Sequence, residues 1–252
     1  MDPRLSVVIP AFNEATRIGT TLDKLLAYFR QQPYTVEVLV VDDGSTDQTA
    51  EAVQSYCRTS DEGKVTVRLL SNGQRLGKGG AVRRGVLEAR GEFTLFSDAD
   101  LSTPIEEVEK LLGFLSDGYD VAIGSRGLKE SAIAHHQAWY REWMGKLFNR
   151  VVQYGWVPRI WDTQCGFEAF RRPVAKALFN RQRITGFAFD VEILTFAVQD
   201  RYRIREVPVA WSHAPESKVR LWRDGLRMLK DLLVIRRMTR NGRNQVDEYV
   251  QT

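Results

Sequence analysis

Short apolar runs rich in β-branched residues alternate, along the first half of the chain, with segments whose apolar residues recur at helical spacing. The predicted strands are Leu5–Ala11, Val36–Val41, Val65–Leu70, Phe93–Phe96 and Val121–Ile123, and the predicted helices are Ile18–Phe29, Thr46–Tyr56, Ala81–Ala89 and Ile105–Leu115. Apolar positions three to four residues apart are typical of a helix with one buried face. The alternation predicts an α/β fold with a mostly parallel sheet and helices on both of its faces.

Polar and small residues stand at the carboxyl end of each predicted strand or in the loop that follows it. Ligands of open parallel sheets bind beyond these ends, so the residues there are candidate ligand contacts. They are Asn13, Glu14, Asp42, Asp43, Lys78, Asp98, Asp100 and Arg126. Other interpretations stay open, because Asp42 and Asp43 are equally typical of a turn and Arg126 of a surface ion pair.

The apolar run that begins at Phe93 stops abruptly at two carboxylates, Asp98 and Asp100. Unpaired charge at the end of a buried strand is strongly unfavourable, so a cation is expected between or beside them. Mg²⁺ typically binds one or two carboxylates together with phosphate oxygens, and Mn²⁺ suits the same hard ligands. We therefore predict a Mg²⁺ or Mn²⁺ site that carries a diphosphate. The alternative is a strand end that caps the next helix.

A glycine-rich loop with one lysine precedes the third predicted helix. Glycines allow close backbone approach, and a helix N-terminus with Lys78 favours an anion. The loop is not a Walker motif, because three residues instead of four separate Gly73 from Gly77, and Gly79 replaces the metal-binding Ser or Thr. This departure argues against a P-loop NTPase.

Length and composition fit one globular domain, with 252 residues of which 43% are hydrophobic and 27% charged. The two cysteines, Cys57 and Cys165, match no metal-ligand spacing and favour a reducing, cytoplasmic setting. No apolar run approaches the roughly 18 residues of a membrane span, and the N-terminus does not read as a signal peptide. We therefore expect no transmembrane anchor.

Two later segments combine aromatic and aliphatic residues at helical spacing with cations. The segment 137–154 carries Trp139, Trp143 and Tyr154, and the segment 217–237 presents an apolar face made of Trp222, Leu226, Leu229 and Leu233. The net charge of +4 is concentrated at this end, where residues 218–243 include nine Lys or Arg against two Asp. Such helices are typical of a membrane interface, whereas a nucleic-acid arm is a purer basic run. Packing against the core is the alternative.

On these motifs the chain resembles the family-2 inverting glycosyltransferases, and within them the dolichyl-phosphate β-glucosyltransferase group. The resemblance covers nearly the whole chain. The motifs that carry it are Pro10–Glu14, Asp42–Asp47, Gly77–Val82, Asp98–Asp100, Gly124–Arg126, Asp162–Phe167, Phe189–Glu192 and the helix from Ser217 to Ile235. The related mannose synthases usually lack the Lys78-Gly-Gly and Gln164-Cys-Gly-Phe variants, which favours glucose.

The resemblance implies a GT-A fold that transfers glucose from UDP-glucose to a polyprenyl phosphate with inversion. It implies nucleotide-sugar contacts at Pro10, Ala11, Asn13, Glu14, Asp42, Asp43, Lys78, Asp98 and Ala99, metal ligands at Asp98 and Asp100, and acceptor-phosphate contacts at Arg126, Arg141 and Lys218. The implied catalytic residues are Asp100, Arg126, Asp162 and Asp190. We take Asp162 and Asp190 by default to orient the cations or the sugar and not to accept a proton.

The expected organisation is a GT-A domain at 1–215, with a nucleotide-sugar half at 1–125 and an acceptor half at 126–215, followed by a basic amphipathic helix and tail at 216–252. The expected location is the cytoplasmic face of a membrane, through peripheral contacts of the interfacial helices. The alternatives are a GDP-mannose-dependent polyprenyl-phosphate mannosyltransferase, a family-2 transferase with a soluble acceptor, and an inactive binding module, for which Asp98 and Asp100 beside Arg126 would have no use.

Overall fold

The computed structural model of the protein describes residues 2–59, 64–135, 139–212, 221–239 and 250–251. Its strands are β1 (Leu5–Ala11), β2 (Val36–Asp42), β3 (Val65–Ser71), β4 (Phe93–Ser97), β5 (Val121–Ser125), β6 (Ala132–His135), β7 (Phe167–Arg171), β8 (Ile204–Pro208), β9 (Ala210–Ser212) and β10 (Val250–Gln251). Its helices are α1 (Ile18–Phe29), α2 (Thr49–Thr59), α3 (Lys78–Glu88), α4 (Val108–Ser116), α5 (Trp139–Gly155), α6 (Arg172–Arg181), α7 (Phe189–Gln199) and α8 (Leu221–Met238), and a 3-10 turn, Ile105–Glu107, leads into α4.

The main sheet has the strand order β10-β8-β5-β7-β4-β1-β2-β3. Every neighbouring pair is parallel except those of β7, which runs antiparallel between β4 and β5. A small parallel pair, β6 with β9, stands apart from it. The prediction of a mostly parallel sheet is confirmed. Because β7 comes from the second half of the chain and inserts between two strands of the first, the two halves share one sheet.

Two predicted helices begin elsewhere than expected, in each case because of a loop contact. Helix α2 starts at Thr49 instead of Thr46, since the preceding residues are tied to the turn after β1, as when Asp47 accepts from the amide of Ala15 at 3.1 Å. Helix α3 starts at Lys78 instead of Ala81, directly after Gly77, whose φ of 103° ends the loop. Positive φ favours glycine, which explains the sharp start.

Alternate residues of the central strands point to opposite faces of the sheet, and both faces are buried. In β1, Leu5, Val7 and Ile9 join the core beneath α1 and α4, while Val8 joins the core beneath α3, α6 and α7. Burial on both faces is why these strands read as nearly continuous apolar runs. None of the helices in the described part of the chain combines the length and hydropathy that crossing a membrane requires.

Helix α8 packs on this domain through a face that the sequence analysis did not identify. Met228, Leu232 and Ile235 are buried in the same core as α7. The predicted apolar face is turned outward, with Leu226, Leu229 and Leu233 exposed by 62%, 48% and 57%. The expectation that this helix contacts a membrane stays a prediction, because the helix has two apolar faces, of which one packs on the core and the predicted one is exposed. Residues 217–220 lie outside the described part.

Candidate active site

The carboxyl ends of β1, β2, β4 and β5 meet at one edge of the sheet, where the turns after β1 and β2 are bonded to each other. Asn13 accepts through Oδ1 from the amide of Thr46 at 2.8 Å, and its own amide donates to Ser45 Oγ at 2.9 Å. Asp42 Oδ1 accepts from the amide of Ser45 at 3.1 Å. These bonds bring together Asn13 and Asp42, two of the predicted nucleotide-sugar contacts.

The other predicted nucleotide-sugar residues of this edge outside the glycine loop have local partners or lie at strand ends. They are Pro10, Ala11, Glu14, Asp43 and Ala99. The Glu14 carboxylate pairs with Arg17 at 2.7 Å, and the Ala99 carbonyl accepts from the hydroxyl of Thr21. Pro10 and Ala11 end β1 beside the end of β2. Glu14 and Ala99 therefore also join α1 to this edge.

Asp43 is committed to the glycine loop. Its Oδ1 accepts from Asn72 Nδ2 at 2.9 Å and from the amide of Leu76 at 2.8 Å, while Oδ2 accepts from the amide of Gly77 at 2.8 Å. The side chain is buried, with 3% exposure. Asp43 thus holds the loop that presents Lys78, a role that the sequence did not reveal.

The glycines of the loop are needed for contact with another segment of the chain. A Cβ on Gly77 would lie 2.5 Å from the carbonyl oxygen of Thr185, and a Cβ on Gly79 would lie 2.6 Å from Phe189 Cβ. Real Cβ atoms do not approach so closely, so side chains here would push the loop away. The glycines therefore let the loop pack under Thr185, which fixes the start of α3.

Lys78 and Asp98 form an ion pair, with Nζ 2.6 Å from Oδ1. Burial opposes the charge of Lys78, but Asp98 raises the pKa of the ammonium. Burial also raises the pKa of Asp98, and Asp100 adds to this effect while Lys78 opposes it. On the other side of Asp98 lies Gly166 (φ 71°), where a Cβ would be 2.4 Å from Oδ2. Asp98 is therefore partly exposed and lies between the Lys78 ammonium and the backbone of Gly166.

Arg126, which is partly exposed, and Asp162, which is buried, form a two-pronged pair. Asp162 Oδ2 accepts from Arg126 Nε at 2.7 Å and from its amide at 3.0 Å, and Oδ1 accepts from Nη2 at 2.9 Å. Nη2 also donates to the carbonyl of Gln164 at 3.1 Å, and the guanidinium lies 5.3 Å from the ring centroid of Trp211. Burial opposes ionisation of Asp162, but Arg126 lowers the pKa below its usual value. Asp162 is thus an orienting anion and a poor proton acceptor.

Asp190 lies in the first turn of α7, and its pKa is shifted in the opposite direction to that of Asp162. Burial raises its pKa to about 7, although Lys78 and bonds from the amide of Val191 and the side chain of Gln164 favour the charged form. Beneath it, on β7, burial and the charge of Asp190 raise the pKa of Glu168 well above its usual value. Among the described side chains, Glu168 is one of the few with a buried oxygen, Oε2, that has no hydrogen-bond partner. The cluster therefore contains more carboxyl groups than cations.

The chemistry of this donor set suits a divalent cation that arrives with its own ligands. In the described part of the chain, no three His, Cys, Asp or Glu side chains are grouped so as to enclose a metal. Asp98 and Asp100 are two carboxylates, and Asp98 already binds a lysine ammonium. Mg²⁺ commonly takes one or two carboxylates and completes its shell with phosphate oxygens and water. The residues therefore fit a metal that is delivered with a diphosphate.

Two predicted acceptor contacts have no described side chain. Arg141 belongs to α5, of which the backbone alone is described at that position, and Lys218 lies outside the described residues. The structure adds three residues that the sequence analysis did not single out as site residues, namely Gln164, Gly166 and Trp211. Gln164 and Gly166 stand inside the motif Asp162–Phe167, and their contacts with Asp190 and Asp98 had no separate sequence signal.

Comparison with known proteins defines the class. The family model described as "Glycosyl transferase family 2" matches residues 6–179. The chain belongs to this family and is a glycosyltransferase. The human dolichyl-phosphate beta-glucosyltransferase is 38% identical over 244 residues, which cover 92% of this chain and 75% of that protein. The Saccharomyces cerevisiae protein of the same name is 36% identical over 248 residues, which cover 92% of this chain and 74% of that protein.

The fold has solved counterparts. Glucosyl-3-phosphoglycerate synthase from Mycobacterium tuberculosis, in complex with Mn²⁺, UDP-glucose and phosphoglyceric acid, superposes with a TM-score of 0.69. The sequence identity is 21%, over 92% of this chain and 79% of that one. The GT-A fold expected from the sequence is confirmed by such neighbours, and at this identity the likeness concerns the fold alone.

Proposed function

We propose that the protein transfers glucose from UDP-glucose to a polyprenyl phosphate of the dolichyl type, with inversion, to give polyprenyl-phosphate β-glucose. The observation that carries the proposal is that two partly buried cations act on Asp98. Lys78 contacts it, and the charges of Lys78 and Arg126 both oppose the rise in its pKa that burial causes. Two cationic groups around a carboxylate pair suit a reaction between two phosphate-bearing substrates. The names of the relatives, which match over most of the chain, support glucose and dolichyl phosphate.

The donor is assigned to the edge formed by β1, β2 and β4. Asn13 and Asp42 are proposed to face the base and ribose, and Lys78 the diphosphate, while Asp43 keeps the lysine loop in place. A divalent cation, Mg²⁺ or Mn²⁺, is proposed at Asp98 and Asp100, and the Mn²⁺ in the mycobacterial neighbour is consistent with this. When bound, the cation neutralises charge on the leaving diphosphate. Because Lys78 already pairs with Asp98, donor binding requires the ammonium to share or leave that carboxylate.

The acceptor phosphate is assigned to Arg126. Asp162 and Gln164 engage Nε and Nη2, and Nη1, which takes part in none of these bonds, is proposed to bind a phosphate oxygen. Arg141 and Lys218 remain proposed further contacts. A phosphate monoester is largely dianionic at neutral pH because its second pKa is roughly 6, so it needs no base to become a nucleophile. The main task of these residues is to hold two anions together in line.

The two buried aspartates are proposed to orient other groups. Asp162 binds the Arg126 guanidinium through Nε and Nη2 and also accepts from the Arg126 backbone amide, and its lowered pKa makes it a weak base. Asp190 lies within electrostatic reach of Lys78, and its pKa of about 7 means that its charge changes near neutral pH. Only a hydroxyl acceptor would have to lose a proton during transfer. A transferase with a soluble hydroxyl acceptor, the second candidate, would therefore use Asp190 as the base.

Membrane contact is proposed through exposed apolar stripes on α5 and α8. Leu147, Val151 and Tyr154 of α5 are exposed by 48%, 40% and 98%, and the α8 stripe of Leu226, Leu229 and Leu233 is similarly exposed. Trp161, which precedes Asp162, is 55% exposed. The cations Arg227, Lys230, Arg236 and Arg237 accompany the stripe on α8. We propose peripheral attachment at the cytoplasmic face, where anionic lipid attracts such helices.

Liposome flotation tests this surface and separates the lipid acceptor from a soluble one. The double variant Leu229→Asn/Leu233→Asn is expected to lower partitioning to anionic vesicles by about 100-fold, since burying each leucine is worth roughly 1.5 kcal/mol or more. Val234→Asn, the same kind of change on another face of α8, is the control and is expected to float like the wild type. Binding should fade with salt, since each near-surface cation contributes roughly 1 kcal/mol. Absence of wild-type binding to both neutral and anionic vesicles at low salt would contradict the proposed attachment.

A further inference from the structure

Glu206, on β8, is a fully buried carboxylate with 0% exposure. Its Oε1 accepts from the amide of Asp162 at 2.9 Å and from that of Trp161 at 3.1 Å, and its Oε2 accepts from the amide of Trp161 at 2.9 Å. Its carboxylate also hydrogen-bonds the side chain of Ser125. A buried carboxylate is costly unless its oxygens are bonded, and here three neighbouring groups bond it.

The groups that Glu206 binds lie on both sides of the Arg126–Asp162 pair. Ser125 immediately precedes Arg126 at the end of β5, and Ser125 Oγ accepts from the amide of Gly127 at 3.1 Å. Asp162 carries the carboxylate that binds the Arg126 guanidinium. One side chain therefore joins the backbone that presents the cation to the backbone that presents its anion.

This arrangement leaves the pair little freedom. If the amides of Trp161 and Asp162 lost their acceptor, buried donors would be unsatisfied and the loop would move to find new partners. Because Arg126 is bonded through both its backbone amide and its guanidinium to Asp162, a shift of that loop would re-aim the guanidinium. A change in direction at a binding group costs affinity even where the charge remains.

We propose that Glu206 is a positioning residue for the acceptor phosphate and acts through Asp162 on Arg126. The inference rests on the proposed function, in which Arg126 binds that phosphate. Glu206 touches neither substrate in this scheme. Its removal should therefore affect acceptor binding and spare the donor side, where Asn13, Asp42 and Lys78 belong to other loops.

A matched control exists at the opposite end of the sheet. Glu37, on β2, is also buried, with 3% exposure, and also binds one serine hydroxyl, with one backbone amide where Glu206 binds two. Its Oε1 accepts from Ser6 Oγ and from the amide of Arg90, both at 2.6 Å, and Oε2 binds Arg68 at 3.0 Å. Ser6 is the second residue of β1, so this cluster lies at the amino edge, away from the site. Glu37→Gln thus makes the same chemical change without reaching Arg126.

The kinetic test compares Glu206→Gln with Glu37→Gln, using UDP-glucose and a polyprenyl phosphate. Glu206→Gln is expected to raise KM for the polyprenyl phosphate about tenfold, the effect of one hydrogen bond, and to leave KM for UDP-glucose nearly unchanged. Glu37→Gln is expected to change neither KM. In an Arg126→Lys background, Glu206→Gln should add little, because residues that act through one group are not additive. A full additive effect there, or an equal rise in both KM values, would overturn the inference.

A second readout does not depend on the acceptor. In protein labelled with ¹⁵N-arginine, the Nε–Hε resonance of Arg126, assigned by its loss in Arg126→Lys, should shift in Glu206→Gln and stay in place in Glu37→Gln. Glu206→Asp, a shorter carboxylate, replaces the glutamine variant if that one does not fold, with a shift expected again. An unchanged resonance would overturn the positioning inference. A shifted resonance in an enzyme that transfers nothing to polyprenyl phosphate would show that Glu206 positions Arg126 but would contradict the proposed function.

Discussion

Replacing Asp100 with asparagine is expected to lower the rate of glucose transfer by about 100-fold or more, the usual effect of removing one charge-stabilising group. The amide is a much weaker metal ligand than the carboxylate, and the variant loses one of the two charges at this strand end. The fold should survive, because the Asn side-chain oxygen can still accept from the amide of Ser102, as Oδ1 of Asp100 does at 3.0 Å. The measurements are initial rates with Mg²⁺ or Mn²⁺ and a thermal melt.

Asp120→Asn is the matched control for this variant. Asp120 also accepts from one backbone amide, that of Arg203 at 2.8 Å, and it precedes β5 at the amino edge of the sheet. It should melt and turn over like the wild type. The metal proposal is wrong if turnover of the UDP-sugar in EDTA equals that with Mg²⁺ or Mn²⁺.

Replacing Arg126 with lysine is expected to lower transfer to polyprenyl phosphate by about 100-fold while KM for UDP-glucose stays nearly unchanged. Lysine keeps a positive charge near Asp162 but lacks the planar fork that binds the carboxylate and a phosphate oxygen together. Arg126→Ala is a poorer choice, because a lone buried Asp162 would cost roughly 3–5 kcal/mol of stability. The measurement is a pair of saturation curves, one for each substrate. A rise in both KM values alike would argue that Arg126 supports the whole site instead of the acceptor.

Asp190→Asn, compared with Arg126→Lys, tests whether transfer depends on the Arg126 cation alone or also needs a base at Asp190. Burial raises the pKa of Asp190 to about 7, so its carboxylate is ionised above that pH and protonated below it. A base at Asp190 would make the wild-type rate fall as pH drops through about 7, and the asparagine variant would be inactive at every pH. In the mechanism proposed here the variant keeps much of its activity, and the rate follows the acceptor's own titration near roughly pH 6. The base-free mechanism would have to be abandoned if Asp190→Asn were inactive and if the wild-type rate fell as the pH dropped through about 7, the pKa of Asp190.

The sequence predicted the first half of the sheet well because its strands are buried on both faces and therefore apolar throughout. Strand β7 was missed, since Phe167–Arg171 is five residues long and carries Glu168 and Arg171. A charged residue inside a short run removes the apolar pattern that indicates a strand. The antiparallel insertion of β7 between β4 and β5 depends on contacts with residues far away in the sequence. The predicted starts of α2 and α3 were wrong for a related reason, because loop contacts determine where these helices begin.

The candidate site was predicted as a set of residue types, and its pairings were not. Which carboxylate meets which cation depends on side chains 20 to 36 positions apart, as with Lys78 and Asp98 or Arg126 and Asp162. Sequence spacing carries no such information. The same limit applies to α8, where the pattern displayed two apolar faces. The face with Leu232 packs on the core and the face with Leu229 is exposed. Nothing local in the sequence predicts which of the two apolar faces is buried.

The most direct test of the account is a parallel assay of four donors on one polyprenyl phosphate with wild-type protein and Mg²⁺ or Mn²⁺. The donors are UDP-glucose, UDP-GlcNAc, UDP-galactose and GDP-mannose. We predict that UDP-glucose gives the highest kcat/KM and that the lipid product carries β-linked glucose. Transfer from GDP-mannose at an equal or higher kcat/KM, or no transfer to the lipid phosphate from any of the four, would contradict it.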